Sequence, residues 1–262
     1  MKKINDRRTQ EVVLEYLKRH LEECIYMAID LERYGYQYSE VEFWYTEKED
    51  KLYTVLMKYY DSFQIFSSED EWNDRESIEF MKQYHVRTIC GKESIIKKLE
   101  KYMKEYDVQY GIIVREDTYR DFRQFEFIRA ATPADAEEIA KLMCMDEDFR
   151  MNYSLEGLTQ QLADRMNEGM GRSYVIVEDD QIVAHSAIYA ECDQIAVESG
   201  LIVHEDYKKK LYGMIVHEFI KKVLLSEGKV LYGFRIVENM RRNARALDLN
   251  ICGCYGKMTR KG

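Results

Sequence analysis

The sequence has little proline and tryptophan, with one and two residues respectively, and no apolar run of about 18 residues that would predict a membrane-spanning helix. No signal-peptide pattern opens it. Basic residues are in deficit, since Lys+Arg of 39 against Asp+Glu of 48 gives a net charge of −9, which argues against a general nucleic-acid-binding protein. We therefore expect a cytoplasmic protein that binds neither nucleic acid nor membrane.

Repeated CxxC pairs are also lacking among the six cysteines. Cys252 and Cys254 flank a single glycine, but no second pair of ligands accompanies them, so the sequence predicts no metal site. Free, buried thiols in a reducing compartment are the better interpretation.

What the chain does contain is enough apolar material for one large domain or two small ones, with 262 residues, 46% hydrophobic and 13% aromatic. The charged segment 115–123 interrupts the pattern of strands and helices and is the candidate linker. It separates two predicted α+β domains, residues 1–118 and residues 119–262.

The most informative stretch is residues 194–228. Its β-branched and aliphatic start predicts a buried strand that ends at Val203, and apolar residues at helical spacing predict a helix from Gly213 to Ser226. Three lysines lie in the turn between them. Because the first amides of a helix lack internal partners and carry the positive end of its dipole, this arrangement predicts an anion site.

The turn resembles motif A of the GNAT superfamily of N-acetyltransferases, in which an Arg/Gln-x-x-Gly-x-Gly/Ala turn holds the pyrophosphate of acetyl-CoA. Gly213 matches the last glycine, whereas Lys208 replaces Arg or Gln and Leu211 replaces the middle glycine. By this resemblance the pyrophosphate would be held by residues of the turn and the first helical residue beyond it, namely Lys208, Lys209, Lys210, Leu211, Tyr212, Gly213 and Met214.

From residue 125 onward, the predicted order β-α-α-β-β-β-α-β-α-β is also that of GNAT proteins, with a central mixed, mainly antiparallel twisted sheet. The predicted elements are strands at 125–130, 173–178, 181–190, 195–203, 230–236 and 255–259, with helices at 132–145, 155–168, 213–226 and 239–251. The earlier residues carry a helix at 8–34, strands at 41–45, 52–59, 62–66, 86–90 and 108–114, and helices at 74–84 and 93–106. They repeat the later part of this order, as in tandem GNAT proteins that include glycine N-acyltransferase-like ones; an unrelated α/β domain is the alternative.

The resemblance also implies how acetyl-CoA, the cosubstrate, would bind. Its pantetheine arm would lie between the strands 195–203 and 230–236, bonded by the backbone of the first strand. The residues implied there and around the adenosine phosphate are Leu201, Ile202, Val203, Arg242 and Asn243, with Lys210 as an alternative phosphate ligand.

For the chemistry, the candidate bases are the carboxylates Glu198 and Glu191, on or before the strand of the motif. Strand alternation predicts that Glu198 shares a face with Gly200 and Ile202, and an outward-facing surface acid is the alternative to a catalytic role for it. The tyrosine that serves as general acid in the family falls on Asp248 or Leu249, so Tyr255 is the first candidate substitute, with Tyr232, Cys254 or a water as alternatives. His185 either lines the acceptor cleft or is a core histidine.

Two functions follow. The first is an acyl-CoA-dependent N-acyltransferase that moves acetyl from acetyl-CoA to a small-molecule or peptide amine, as a monomer or homodimer. The second is a weak or inactive GNAT-like module that senses acyl-CoA or serves as an interaction scaffold.

Overall fold

The computed structural model describes residues 1–38, 40–236 and 250–261. The elements in chain order are β1 Lys2–Lys3, α1 Arg7–Lys18, α2 Leu21–Tyr34, β2 Val41–Lys48, β3 Lys51–Tyr59, β4 Ser62–Phe66, α3 Arg75–Met81, β5 Thr88–Lys92, α4 Glu93–Leu99, β6 Tyr106–Glu116, β7 Ile128–Ala130, α5 Ala136–Met143, α6 Glu147–Asn152, α7 Leu155–Asn167, β8 Arg172–Glu178, β9 Gln181–Glu191, β10 Ile195–Val203, α8 Tyr212–Ser226, β11 Val230–Ile236 and β12 Asn250–Arg260. Short 3₁₀ helices cover Arg123–Phe127, Pro133–Asp135 and Glu205–Lys210.

The chain divides into two compact units. The first combines Met1–Val114 with the described residues of 234–262, and the second is Arg115–Gly233. The division at 114/115 lies close to the boundary expected at 118/119. The last strand, β12, nevertheless belongs to the first unit, because it pairs with β5 from Tyr255–Lys92 to Thr259–Thr88.

In the first unit the strand order is β1-β2-β3-β4-β5-β12-β6. The pair β4/β5 is parallel, whereas β1/β2, β2/β3, β3/β4 and β5/β12 are antiparallel. Side chains alternate between the faces: Phe43 and Met57 pack with α1 and α2, and Trp44 and Leu56 pack with α3 and α4. The unit therefore has one apolar core on each face of its sheet.

The second unit has the strand order β11-β10-β9-β8-β7. Here β10/β11 is parallel and the other pairs are antiparallel. Helix α8 covers one face, where it meets Tyr174 and Ile176, and α5 and α7 cover the other, where they meet Val175. The helix that starts after Thr132 begins as expected, because Pro133 occupies its first turn and Thr132 and Asp135 form a reciprocal capping box.

The two units repeat one order of elements. Three antiparallel strands are followed by a helix and a parallel strand, as β2-β3-β4-α3-β5 in the first unit and as β8-β9-β10-α8-β11 in the second. The predicted repetition and the predicted mixed, mainly antiparallel α+β class are therefore confirmed.

Several local predictions are wrong. Of the strand expected over 125–130 only Ile128–Ala130 is a strand, because residues 125–127 belong to the 3₁₀ helix Arg123–Phe127, and the helix expected over 93–106 ends at Leu99. The single helix expected over 8–34 is two helices, because the chain turns at Arg19 and His20, and Cys24 has non-helical backbone angles of φ −139° and ψ 33°. Residues 250 and 251, assigned to a helix, begin β12, which extends to meet β5. The cysteines were expected to be buried, but Cys24 alone of the six is fully buried, four are partly buried and Cys254 is exposed.

Within the described ranges, we find no helix whose length and apolar character would let it cross a bilayer.

Candidate functional site

Strand β10 is irregular where the motif residues lie. Two register shifts interrupt its pairing with β9, one between Val197 and Glu198 and one between Ser199 and Ile202. Gly200 lies inside the second shift with φ +68°, and a Cβ there would stand 3.3 Å from the His185 ring. A larger residue would meet both strain and a buried neighbour, so glycine is required at this position.

The shifts decide which way the side chains of β10 face. Ser199 is opposite Ala187 and Ile202 is opposite His185, and these two β9 residues share a face. Ile202 therefore packs with the α5 and α7 core, whereas Glu198, opposite Ile188, faces α8. The expectation that Glu198 and Ile202 share a face is wrong, because the extra residue inverts the alternation.

Glu198 is a buried carboxylate, with 4% of its side chain exposed. One oxygen accepts the Ser186 hydroxyl at 2.7 Å, and the other is 2.5 Å from Nδ1 of His217 on α8. The second ring nitrogen, Nε2, lies 2.9 Å from Glu116 at the end of β6. His217 thus bridges two carboxylates within the second unit.

The charge of this bridge follows from its surroundings. Burial lowers the pKa of His217, but the neighbouring carboxylates Glu198 and Glu116 raise it further, and the net effect is a pKa of about 9. The imidazole is therefore cationic at neutral pH. Lys221, one turn further along α8, lies 3.2 Å from Glu116 and 2.8 Å from Glu218.

His185 is a core histidine. Its ring is fully buried, with Nδ1 2.9 Å from the carbonyl oxygen of Gly200 and Nε2 3.2 Å from the hydroxyl of Ser173. Burial lowers its pKa to about 4, so the ring is neutral at physiological pH. It supports the bulge of β10.

After β10 the chain forms the 3₁₀ helix Glu205–Lys210 and then Leu211, which has left-handed backbone angles of φ 61° and ψ 19°. Helix α8 starts at Tyr212, one residue before the predicted start. Among the described residues no side chain caps this helix start, and its first turn holds no acidic residue. Gly213 lies against β10, since a Cβ there would be 3.2 Å from Cγ2 of Val203.

The lysines of the turn differ in their partners. Lys208 pairs with Glu205 at 2.6 Å, and Lys210 pairs with Glu178. The Glu178 carboxylate also accepts the hydroxyl of Tyr212 at 2.6 Å. Lys209 is exposed. The turn therefore carries three cations next to a helix start whose amides are uncapped.

Comparison with known proteins decides the fold. No family model matches the sequence, and no curated protein matches it. A tandem GNAT protein from the clavulanic acid biosynthesis pathway, solved without AcCoA, is 11% identical with a TM-score of 0.59, over 96% of this chain and 93% of that chain.

The chain has the tandem GNAT fold.

Two further solved structures are also similar to this chain over nearly its whole length. A GNAT-family acetyltransferase from Colwellia psychrerythraea is 10% identical with a TM-score of 0.56, over 99% of both chains. A Drosophila protein solved by X-ray crystallography is 12% identical with a TM-score of 0.65, over 99% of this chain and 98% of that chain.

Glu191, the second candidate base of the GNAT resemblance, lies in an ion-pair group at the end of β9. Its carboxylate is 2.8 Å from Arg172 and 2.7 Å from Lys229, and Arg172 also pairs with Glu227 at 2.6 Å. These contacts tie β8, β9 and the end of α8 together. Glu191 therefore has a structural role in these ion pairs, and its catalytic role stays a prediction.

Tyr255 lies in the first unit, on β12, where its ring packs on Phe234 at 5.1 Å between centroids. Burial raises its pKa to about 12, so it keeps its proton at neutral pH. Its role as general acid stays a prediction, as do the pantetheine contacts of Leu201, Ile202 and Val203 on β10 and the phosphate contact of Met214 on α8. The remaining candidates, Arg242, Asn243, Asp248 and Leu249, lie outside the described residues.

His217 and Glu116 are the residues that sequence reasoning missed. Glu116 fell in the segment interpreted as a linker, and His217 fell on an apolar helix. A usable signal was present, because His217, Glu218 and Lys221 interrupt the otherwise apolar stripes of α8 at positions that the packing buries.

Proposed function

We propose that this chain is an acyl-CoA-dependent N-acyltransferase that moves acetyl from acetyl-CoA to the primary amine of a small molecule or peptide. The observation that carries the proposal is the uncapped start of α8, which follows a three-lysine turn at the end of β10 in a GNAT fold. Such a helix start attracts a phosphate through its free amides and its dipole. We place the enzyme in the cytoplasm, as a monomer or homodimer.

The charge and the backbone conformation of the turn are compatible with a bound pyrophosphate. Lys208 and Lys209 supply charge, and Leu211 has a left-handed backbone conformation, which a glycine at this position would adopt without steric cost. Leu211 is 58% exposed and therefore is not packed into the protein interior. Lys210 would have to exchange Glu178 for a phosphate oxygen.

The chemistry requires a neutral amine and a leaving thiolate. Glu198 would accept the proton of the acceptor ammonium, directly or through a water, because it is the carboxylate on the motif strand. Tyr255, protonated at neutral pH, stays the candidate donor to the thiolate. Acetyl-CoA, when bound, supplies the activated acyl group.

A GNAT-like module that binds acyl-CoA without turnover is the second candidate. The observations that favour it are the ion pair between Lys210 and Glu178, which sets a carboxylate beside the phosphate turn, and the small exposed fraction of Glu198. Binding and turnover must therefore be measured separately.

The binding test is a calorimetric titration with CoA of the wild type, of two variants of the turn and of one control variant. Gly213→Val should weaken binding, because its side chain would press on Val203, which a Cβ already approaches to 3.2 Å. Lys209→Glu should weaken binding through charge, whereas Lys101→Glu, at an exposed lysine of the first unit, is the matched control. Equal affinities in all four proteins would contradict the proposed phosphate turn.

The turnover test is thiol release from acetyl-CoA with a panel of primary amines. A ligand at about 100 times its dissociation constant adds about 2.7 kcal/mol of stability, so a thermal shift first confirms that acetyl-CoA is bound under assay conditions. Amine-dependent release supports the acyltransferase. Binding with no release for any amine favours the sensor.

A further inference from the structure

A buried row of charged groups crosses the second unit from β10 to the end of β6. Glu198, His217 and Glu116 are joined by contacts of 2.5 Å and 2.9 Å, and 4%, 13% and 15% of their side chains are exposed. The row comes from three distant parts of the chain. No single stretch of the sequence contains all three residues, so the sequence did not predict that a histidine lies between the two carboxylates.

Further polar groups contact the two ends of this row. Ser186 donates its hydroxyl to Glu198, and Lys221 lies near Glu116 and Glu218. Glu218 also accepts the backbone N–H of Arg120 at 2.6 Å. His217 contacts Glu198 at the inner end of the row, and Lys221 contacts Glu116 at its outer end.

A buried carboxylate without a compensating cation tends to take up a proton, because desolvation penalises its charged form. A cation that donates a hydrogen bond favours the ionised form and also fixes its orientation. The imidazolium of His217 does both for Glu198, and its second N–H is anchored by Glu116. An imidazole ring held at both nitrogens has little freedom to turn.

We propose that His217 is a positioning residue of the acyl-transfer site, which keeps Glu198 an ionised and oriented carboxylate, with Glu116 as its outer anchor. This inference rests on the proposed function. In the reaction, Glu198 takes one proton from the acceptor ammonium, and the freed lone pair forms the C–N bond with the acetyl carbon. The C–S bond electrons leave with the CoA sulfur, which receives the proton lost by the new amide nitrogen.

The kinetic test compares His217→Gln with the wild type and with His85→Gln, an exposed histidine of the first unit. Gln removes the cation but can still donate to one carboxylate. We expect kcat to fall by roughly 10²-fold, within the range of lost acid–base catalysis, with the KM for acetyl-CoA unchanged. The acidic limb of the pH–rate profile should move to higher pH, because a buried carboxylate that loses a neighbouring cation is protonated more readily.

Charge rescue separates positioning from mere packing. His217→Arg keeps a cation with several N–H donors, so it should recover roughly tenfold of the kcat that Gln loses and restore the acidic limb. If His217→Gln does not fold, Glu116→Gln keeps the ring and removes its outer anchor, and it should still lower kcat and move the acidic limb in the same direction.

The outcomes distinguish the two proposals. Turnover by the wild type with an unchanged kcat and pH profile in His217→Gln, or in Glu116→Gln if the first variant does not fold, would overturn the positioning role alone. Equal loss in the Gln and Arg variants with an unmoved acidic limb would also overturn it. A wild type that binds CoA but acylates no amine would overturn both proposals.

Discussion

The ion pairs of His217 predict how the stability of the protein depends on pH. The pKa of the histidine is about 9 in the folded protein against an ordinary 6.5, chiefly because Glu198 and Glu116 outweigh the effect of burial. A raised folded-state pKa means that the folded protein holds this proton more tightly than the unfolded chain does. The stabilisation is therefore fully present below about pH 6.5 and is lost as pH rises toward about 9.

The magnitude follows from the two pKa values. Their difference corresponds to about 3 kcal/mol of unfolding free energy at about 1.4 kcal/mol per pH unit. The ring is largely buried, with 13% of the side chain exposed, so solvent screens it little. Losses of this size are a large part of the stability of an ordinary domain.

The assay is chemical denaturation at pH values from about 6 to 9.5, followed by circular dichroism. Tryptophan fluorescence would be unsuitable, because Trp44 and Trp72 both lie in the first unit, whereas His217 lies in the second. Burial raises the pKa of Cys90 from 9.0 to about 11, so the unfolded chain loses this proton before the folded protein does, and this thiol also lowers stability as pH rises toward the top of the interval.

The comparison that isolates the histidine is therefore wild type against His217→Gln. The wild type should be the more stable protein near pH 6, and its advantage should shrink by about 3 kcal/mol by about pH 9.5. A difference between the two proteins that stays constant over this interval would refute the assignment of a cationic His217 between two carboxylates.

Three further outcomes are expected. Leu211→Gly should raise stability by about 1 kcal/mol in denaturation, because glycine adopts the left-handed conformation without steric cost; a loss would show that the Leu211 side chain packs usefully. Asp74→Ala should lower stability by about 3 kcal/mol or more, since it leaves three buried hydroxyl groups without their acceptor, whereas exposed Asp70→Ala should change it by less than about 0.5 kcal/mol; similar values for the two would contradict this account. A fragment of residues 120–262 should be poorly soluble and should aggregate in a sedimentation experiment, because it does not contain β5 and the edge of β12 that pairs with β5 is exposed; a soluble monomer would count against that reasoning.

Much of the fold was predictable because its signals are local. The hairpin of β8 and β9 turns at Asp179 and Asp180, both with positive φ, as its two acidic residues between apolar runs indicate. The strand, lysine turn and helix at residues 195–226 were predicted within one residue of their observed bounds. Propensity, periodicity and capping all act over a few residues, so one sequence contains them.

Other features depended on residues that are far apart in the chain. The bulges of β10 arise from pairing with β9, and they inverted the face of Ile202 that simple alternation predicted. The position of β12 was decided by β5, more than 150 residues earlier in the chain.

For the candidate site, the sequence by itself determined the strand, the lysines of the turn, the helix start and the presence of Glu198 on the motif strand. Only the tertiary structure decided that Glu198 is buried and that its cation is His217, held in turn by Glu116 about 100 residues away. The physical reason is that a charge's state is set by burial and by its nearest partners, and both are created when distant segments pack together.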